Sequence, residues 1–244
     1  MVRRSVLAMF AVMAIVLGCV VVSTPAGAVV DAAVVVPSPN VNSDDVLYSV
    51  SCVSLSECVA VGRSNTGSAY ETLVMVWDGV EWLIVSSPNA GTIDDALRSV
   101  SCVSVSECVA VGYTYTGNRV YETLVEVWDG AEWSVVSSPN AGTIIDQLFS
   151  VSCVSASDCV AVGSTETGSA TETLVMVWDG IVWSIVSSPN AGTTFDRLSS
   201  VSCVSDCVAV GRTETGNRGF ETLVLSLTGP VPPSTDQVAS TFTG

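Results

Sequence analysis

Any chemistry in this chain has to come from carboxylates, guanidiniums and thiols. Twenty-four Asp plus Glu stand against eight basic residues, all of them Arg, with no His and nine Cys. Without His or Lys there is no Ser-His-Asp triad, no imidazole metal ligand and no Schiff-base lysine. A formal charge of −16 argues against nucleic acid and anionic membrane surfaces, which call for clustered Lys and Arg. Three chemistries stay open to such a set: cation binding by carboxylates, glycoside hydrolysis by a carboxyl pair, and recognition by mixed Arg and aromatic side chains.

These residues recur at related positions. Asp45, Asp95, Asp146 and Asp196 each stand two residues before a Leu. A ring of four acids would suit calcium, which wants six to eight oxygens. The plainer expectation is that each Asp caps a turn, so no cofactor is expected. After those Leu come Tyr48, Arg98, Phe149 and Ser199; after a later Gly come Arg63, Tyr113, Ser164 and Arg212. Arg119 and Arg218 occupy a Gly-Asn-Arg loop found in alternate copies of a repeat. Tyr48, Arg98, Phe149, Arg63, Tyr113, Arg212, Arg119 and Arg218 are therefore the candidate ligand-binding residues, and no catalytic residue is assigned. Glu126 stands where Met75, Met176 and Leu225 stand in otherwise apolar segments, a costly place for a buried carboxylate.

The elements that must hold these residues follow from internal repetition. SVSCVSLSECVAVG (49–62) returns at 99–112, at 150–163 and, shortened, at 200–211, with a period of 50 or 51 residues. ETLVMVWDG recurs from Glu71, Glu122 and Glu172, and SSPNAGT from Ser86, Ser137 and Ser187. Each copy reads as four short Val-rich strands separated by turn residues, with Asp-Gly suggesting a two-residue type I′ hairpin. Four strands per copy, apolar on both faces, predict an all-β propeller of four blades, each of four antiparallel strands. The repeats start near 47, 97, 148 and 198, and the propeller spans 33–229. The fourth copy lacks its last strand, so the N-terminal segment AVVVPSPN (33–40) is expected to supply it and close the last blade. An open array and a half-ring that dimerises are the alternatives.

Eight of the cysteines form four local pairs, Cys52/Cys58, Cys102/Cys108, Cys153/Cys159 and Cys203/Cys207, each bracketing the turn between a first and second strand. Repetition selects these pairings as disulfides, and zinc would need two pairs to converge. All six Trp flank the Asp-Gly turns as Trp77/Trp82, Trp128/Trp133 and Trp178/Trp183. A packing role is expected for them, with a sugar platform as the alternative.

At these turns the chain resembles the repeat of bacterial secreted propellers of the Asp-box, or sialidase-repeat, kind. Asp78-Gly79 with Trp82, Asp129-Gly130 with Trp133, and Asp179-Gly180 with Trp183 carry the resemblance. Asp and Gly are adjacent here, and Val-Trp replaces the usual Ser or Thr before Asp. The sialidase arginine cluster has no counterpart, so the resemblance implies the fold and no activity.

The ends read differently. Arg3 and Arg4, an apolar run from Val6 to Val22 and Ala26-Gly27-Ala28 form a signal peptide over 1–28. Its loss takes two Arg and no acid, leaving a charge of −18 and no membrane span in the mature chain. Val16-Leu17-Gly18-Cys19 resembles a lipobox, so lipid anchoring through Cys19 is the alternative to secretion. Residues 230–244 read as a flexible Pro/Ser/Thr-rich tail. The functional expectation is a secreted, acidic, non-catalytic binding module that recognises glycan or protein at the bacterial cell envelope through its loop-rich face. The alternatives are a structural or assembly scaffold, including a homodimer, and a carboxylate-only glycosidase.

Overall fold

The computed structural model describes residues 33–216 and 219–228. The signal peptide, Cys19, Arg218 and the tail 230–244 lie outside the described residues. The chain divides into two compact units, Met1–Val36 and Pro37–Gly244, and every described strand belongs to the second.

The fold is all-β, with no helix among the described residues. The first repeat unit holds β1 (Asp45–Ser54), β2 (Glu57–Asn65), β3 (Tyr70–Trp77) and β4 (Trp82–Val85). The second holds β5 (Asp94–Ser104), β6 (Glu107–Gly117), β7 (Val120–Trp128) and β8 (Trp133–Val135). The third holds β9 (Ile145–Ser155), β10 (Asp158–Glu166), β11 (Thr171–Trp178) and β12 (Trp183–Val186). The fourth has β13 (Phe195–Cys203), β14 (Cys207–Glu214) and β15 (Phe220–Leu227). Strands are antiparallel within a unit. Successive units meet through single parallel pairs, Tyr70 with Asp94, Tyr121 with Ile145 and Thr171 with Phe195. These junctions join all strands into one 15-stranded sheet that runs from β1 to β15 without closing.

The expected closing strand does not form. Residues 33–40 adopt no strand, and Val34 and Val35 are 81% and 97% exposed, without the cross-strand neighbours a strand requires.

Period-2 alternation gives each inner unit two apolar faces, and stacking buries both. Val61 and Val74 of the first unit meet Leu97, Val100, Ala110 and Leu124 of the second. Val109, Val111 and Val125 meet Leu148, Val151, Ala161 and Met176 of the third. Val160, Val162 and Val175 meet Leu198, Val201, Ala209 and Leu223 of the fourth. Hydroxyl groups stitch the same stack. Val100 N and Cys102 N donate to Ser49 Oγ (3.3 Å) and Ser51 Oγ (3.0 Å). Val151 N and Cys153 N donate to Ser99 and Ser101, and Val201 N and Cys203 N to Ser150 and Ser152.

All four expected disulfides are present, each joining directly opposed residues with Cα atoms 4.0–4.1 Å apart. They close the hairpin between the first two strands of each unit and fit an oxidising compartment.

The Asp-Gly turns differ from the expected type I′ geometry. The loop is four residues long, Asp78–Glu81, and only Gly79 has a positive φ, +94°. Asp78 Oδ1 accepts from Val80 N (2.8 Å) and Glu81 N (2.9 Å), and Asp129 and Asp179 repeat the arrangement. These backbone donors, the amide of Glu81 foremost, hold the Asp78 carboxyl below its ordinary pKa. A two-residue turn with positive φ at both central positions does occur, at Asn118 (54°) and Arg119 (68°) between β6 and β7. Trp77, Trp128 and Trp178 lash the Asp-Gly loop to the disulfide hairpin by donating Nε1–H to the carbonyls of Leu55, Val105 and Ala156. Their partners Trp133 and Trp183 are buried.

Candidate functional site

The position after the opening Leu is a β-bulge in every unit. Pairing skips from Leu47 to Ser49, from Leu97 to Ser99, from Leu148 to Ser150 and from Leu198 to Ser200. Tyr48, Arg98, Phe149 and Ser199 are thus the unpaired residues, re-aimed by the local twist. The bulge also explains the Gly opposite. A Cβ on Gly112 would sit 1.8 Å from the Ala96 carbonyl oxygen, and Gly62, Gly163 and Gly211 are equally crowded.

Six of the eight candidate residues come together as guanidinium–aromatic stacks at this end of the units. Arg98 lies 4.3 Å from the Tyr48 ring centroid and 5.3 Å from that of Tyr113. Arg63 lies 3.9 Å from the Tyr70 centroid, donates to Tyr113 Oη at 3.4 Å and pairs with Asp94 at 3.7 Å. Arg197 stacks 4.2 Å from Phe149, and Arg212 lies 4.4 Å from Phe220 and 5.0 Å from Phe195. Arg119 sits apart on the exposed tip of the β6–β7 hairpin, where its amide donates to Tyr115 Oη at 3.2 Å.

The electrostatics follow from partial burial. Burial raises the Asp94 carboxyl, against the opposing pull of Arg63. Burial works against the Arg63 charge, but Tyr48, Tyr113 and Asp94 outweigh it and raise its pKa. Arg197 has no such counter-charge: burial lowers it, and Arg212 and Arg98 push the same way.

Two of these stacks, Arg98 on Tyr48 and Arg197 on Phe149, cross from one unit to the next, and Arg63 crosses by a hydrogen bond and an ion pair. Arg63 reaches from β2 to Asp94 and Tyr113 of the second unit. Arg98 reaches back from β5 to Tyr48, and Arg197 from β13 to Phe149. The geometry is that of clamps between units. Asp94, Tyr70 and Arg197 belong to the clamps, and Phe195 and Phe220 to the stack with Arg212 inside the fourth unit, although the residue pattern does not single them out. Arg197 carried a signal, because Val46, Ala96 and Gln147 precede the other opening Leu residues.

The four repeated Asp take their hydrogen bonds within their own units. Asp95 Oδ2 accepts from Gly91 N at 2.9 Å. Asp146 Oδ1 accepts from the amides of Ala141 and Gly142, and Asp196 Oδ1 from those of Ala191 and Gly192. Asp45 Oδ2 takes the amides of Val41 and Asn42. Each carboxylate thereby ties the linker to the first strand of its unit. Among the described residues no three acids or thiols converge on a common point as a metal would need.

Glu126 is fully buried, with neither carboxylate oxygen hydrogen-bonded. It faces the first unit from β7, at the position of Met176 in the next interface. Burial first, and Asp95 second, push it up to about 8, so it is neutral at pH 7 and out of reach of any substrate. Two clefts lie at the opposite end, between successive disulfide hairpins. One of 140 Å³ is lined by Cys58, Trp77, Cys102 and Trp128, and one of 160 Å³ by Cys108, Trp128, Cys153 and Trp178. They occupy equivalent places and are a product of the stacking.

No protein-family model matches the chain, and no curated protein does. Solved structures of similar fold are β-propeller-type proteins. The tricorn protease matches at a TM-score of 0.44 and 10% identity, over 78% of this chain and 17% of its own. Fructan 1-exohydrolase IIa from Cichorium intybus matches at 0.47 and 10%, over 73% and 41%. A glycoside hydrolase matches at 0.31 and 9%, over 82% and 92%. The chain thus spans less than half the length of the first two. At such identities the likeness concerns fold alone. The expectation of a non-catalytic binding module is corrected to this extent: two of these similar structures, the fructan exohydrolase and the glycoside hydrolase, are hydrolases by name, and fold alone does not separate binding from catalysis. What the structure establishes is an all-β, disulfide-clasped repeat protein whose strands form one open 15-stranded sheet.

Proposed function

We propose that the chain is an exported structural and assembly module, built from four propeller blades of the Asp-box kind and exposing its end faces for docking. One observation carries this reading. On the outer face of β14 and β15, Val208, Val210 and Val224 are 48%, 42% and 64% exposed, whereas the equivalent Val160, Val162 and Val175 of the third unit are buried at 5%, 0% and 1%. The last unit therefore carries the apolar face of an inner unit with nothing described upon it. Contiguous apolar surface of that kind marks an interaction site. The clamps, clasps and capped linkers all serve to hold the array rigid.

The test is side-chain footprinting of Val208, Val210 and Phe220 in the purified chain and in the envelope or culture fraction of the producing cell. Protection in either setting is the expected result. Equal, free accessibility in both would remove the proposal.

A further inference from the structure

Resting on the assembly reading, we infer that the partner of the exposed β14–β15 face is β1 of a second copy of this chain, joined head to tail. The argument comes from the three contacts that already exist. In each, two Ser hydroxyls of one unit accept backbone N–H groups from the first strand of the next, at 3.0–3.3 Å. Each adds Val residues from the second and third strands, packed against a Leu and a Val of that first strand.

At their inner strands the two ends of the array match the two halves of such a contact. Ser200 and Ser202 lie on the exposed side of β13, in register with Val210 and Val208. They correspond to Ser150 and Ser152, which serve the third contact. At the other end, Val50 and Cys52 of β1 hold the places of Val100 and Cys102, and no described unit precedes them. Val50 is 58% exposed where Val100 is 5%, and Leu47 is 41% exposed where Leu97 is 0%. Ala60, Leu73 and Met75, further out on the same face of the first unit, are buried, so the seam is confined to the inner strand. Ser200 Oγ would accept from Val50 N of the second copy, and Ser202 Oγ from Cys52 N.

A second copy meets these ends better than the chain's own opposite end. β1 packs on β5, β5 on β9 and β9 on β13, and the sheet does not return to β1. Closing it within one chain would require all three inner contacts to change together. Two copies joined at both pairs of ends would keep every inner contact and form two identical seams related by a twofold axis.

The experiment is size-exclusion chromatography with light scattering on the purified, oxidised chain, together with Val210→Glu and Val50→Glu. Both positions are exposed, and unchanged circular dichroism verifies folding. The wild type is expected at the mass of two copies, or as a longer concentration-dependent polymer if the seams do not close. Each variant alone is expected at one copy. An equimolar mixture of the two is expected to recover the two-copy mass, because each variant retains the face the other has lost. A wild type at one copy, a variant that stays paired, or a mixture that stays at one copy overturns the inference. A one-copy wild type whose β14–β15 face is protected in the cell fraction would leave the assembly reading standing and remove only the second copy as partner.

Discussion

Arg98 of the second unit lies over the Tyr48 ring of the first, 4.3 Å from its centroid, and both occupy the bulge position of their strands. The same kink that breaks the ladder in each unit therefore supplies both halves of a contact between units. Replacing Arg98 by Ala should lower stability by about 1 kcal/mol, the scale of a partly desolvated cation–π pair. A double-mutant cycle with Tyr48→Leu, followed by urea unfolding, checks it. Strictly additive losses would show that the two side chains do not interact.

Glu126 makes stability depend on pH. Its carboxyl titrates near 4.5 when exposed and at about 8 when folded. Between those values the unfolded chain has released a proton that the folded chain keeps, so stability falls as pH rises from 4.5 to about 8 and then levels. Glu126→Met restores the residue found at the equivalent Met75 and Met176. It should abolish this slope and gain up to about 5 kcal/mol at pH 8, the whole shift at ~1.4 kcal/mol per pH unit. Unfolding of both proteins across pH 4–9 measures the difference. A gap that does not widen with pH would mean the carboxyl is not held neutral.

The clasps restrain the unfolded chain locally. Cys203 and Cys207 close the shortest loop, with a sequence separation of four against six in the other three. Replacing both by Ser should cost about 2 kcal/mol. Reducing all four bridges should lower the melting temperature by more than that double variant does. Calorimetry with and without reductant tests the ordering, and an unchanged melting temperature on reduction would contradict it.

Gly130 holds φ at +95°, and a Cβ there would lie 2.8 Å from Ser106 Cβ. Gly130→Ala combines left-handed strain with a clash between hairpins and should destabilise by roughly 1–3 kcal/mol. Asp129→Ala loses the acceptor for two loop amides and should cost about 1 kcal/mol. A Gly130→Ala protein as stable as the wild type would show that the loop can re-form without its left-handed residue.

Much of the local structure was legible because it repeats. SVSCV and CVAVG alternate small and apolar residues at period 2, and their recurrence every 50 or 51 residues located the strands and the cysteine partners. The six-residue spacing of the pairs is a local property, so the clasps needed no tertiary information. The capping role of Asp95, Asp146 and Asp196 was likewise within reach, since an Asp beside a Gly-containing linker bonds its own turn. The Asp-Gly loop departs from the type I′ turn that its dipeptide suggests, because Asp78 Oδ1 accepts from the Val80 and Glu81 amides, which favours a four-residue loop with one left-handed glycine.

By itself the sequence determined an acidic, all-β repeat protein with a disulfide at each first hairpin. Period, turn residues and cysteine spacing act within a few tens of residues, and repetition copies them. The tertiary structure alone decided that Arg98 and Arg197 stack on aromatic residues of neighbouring units and that Arg63 bonds Tyr113 and Asp94 of the next one, that Glu126 is sealed into an interface, and that the sheet stays open between β1 and β15. Those outcomes depend on the angle at which one unit packs on the next. That angle is set by bulges, hydroxyl–amide bonds and side-chain volumes acting together across the interface, and no single segment of the chain encodes it.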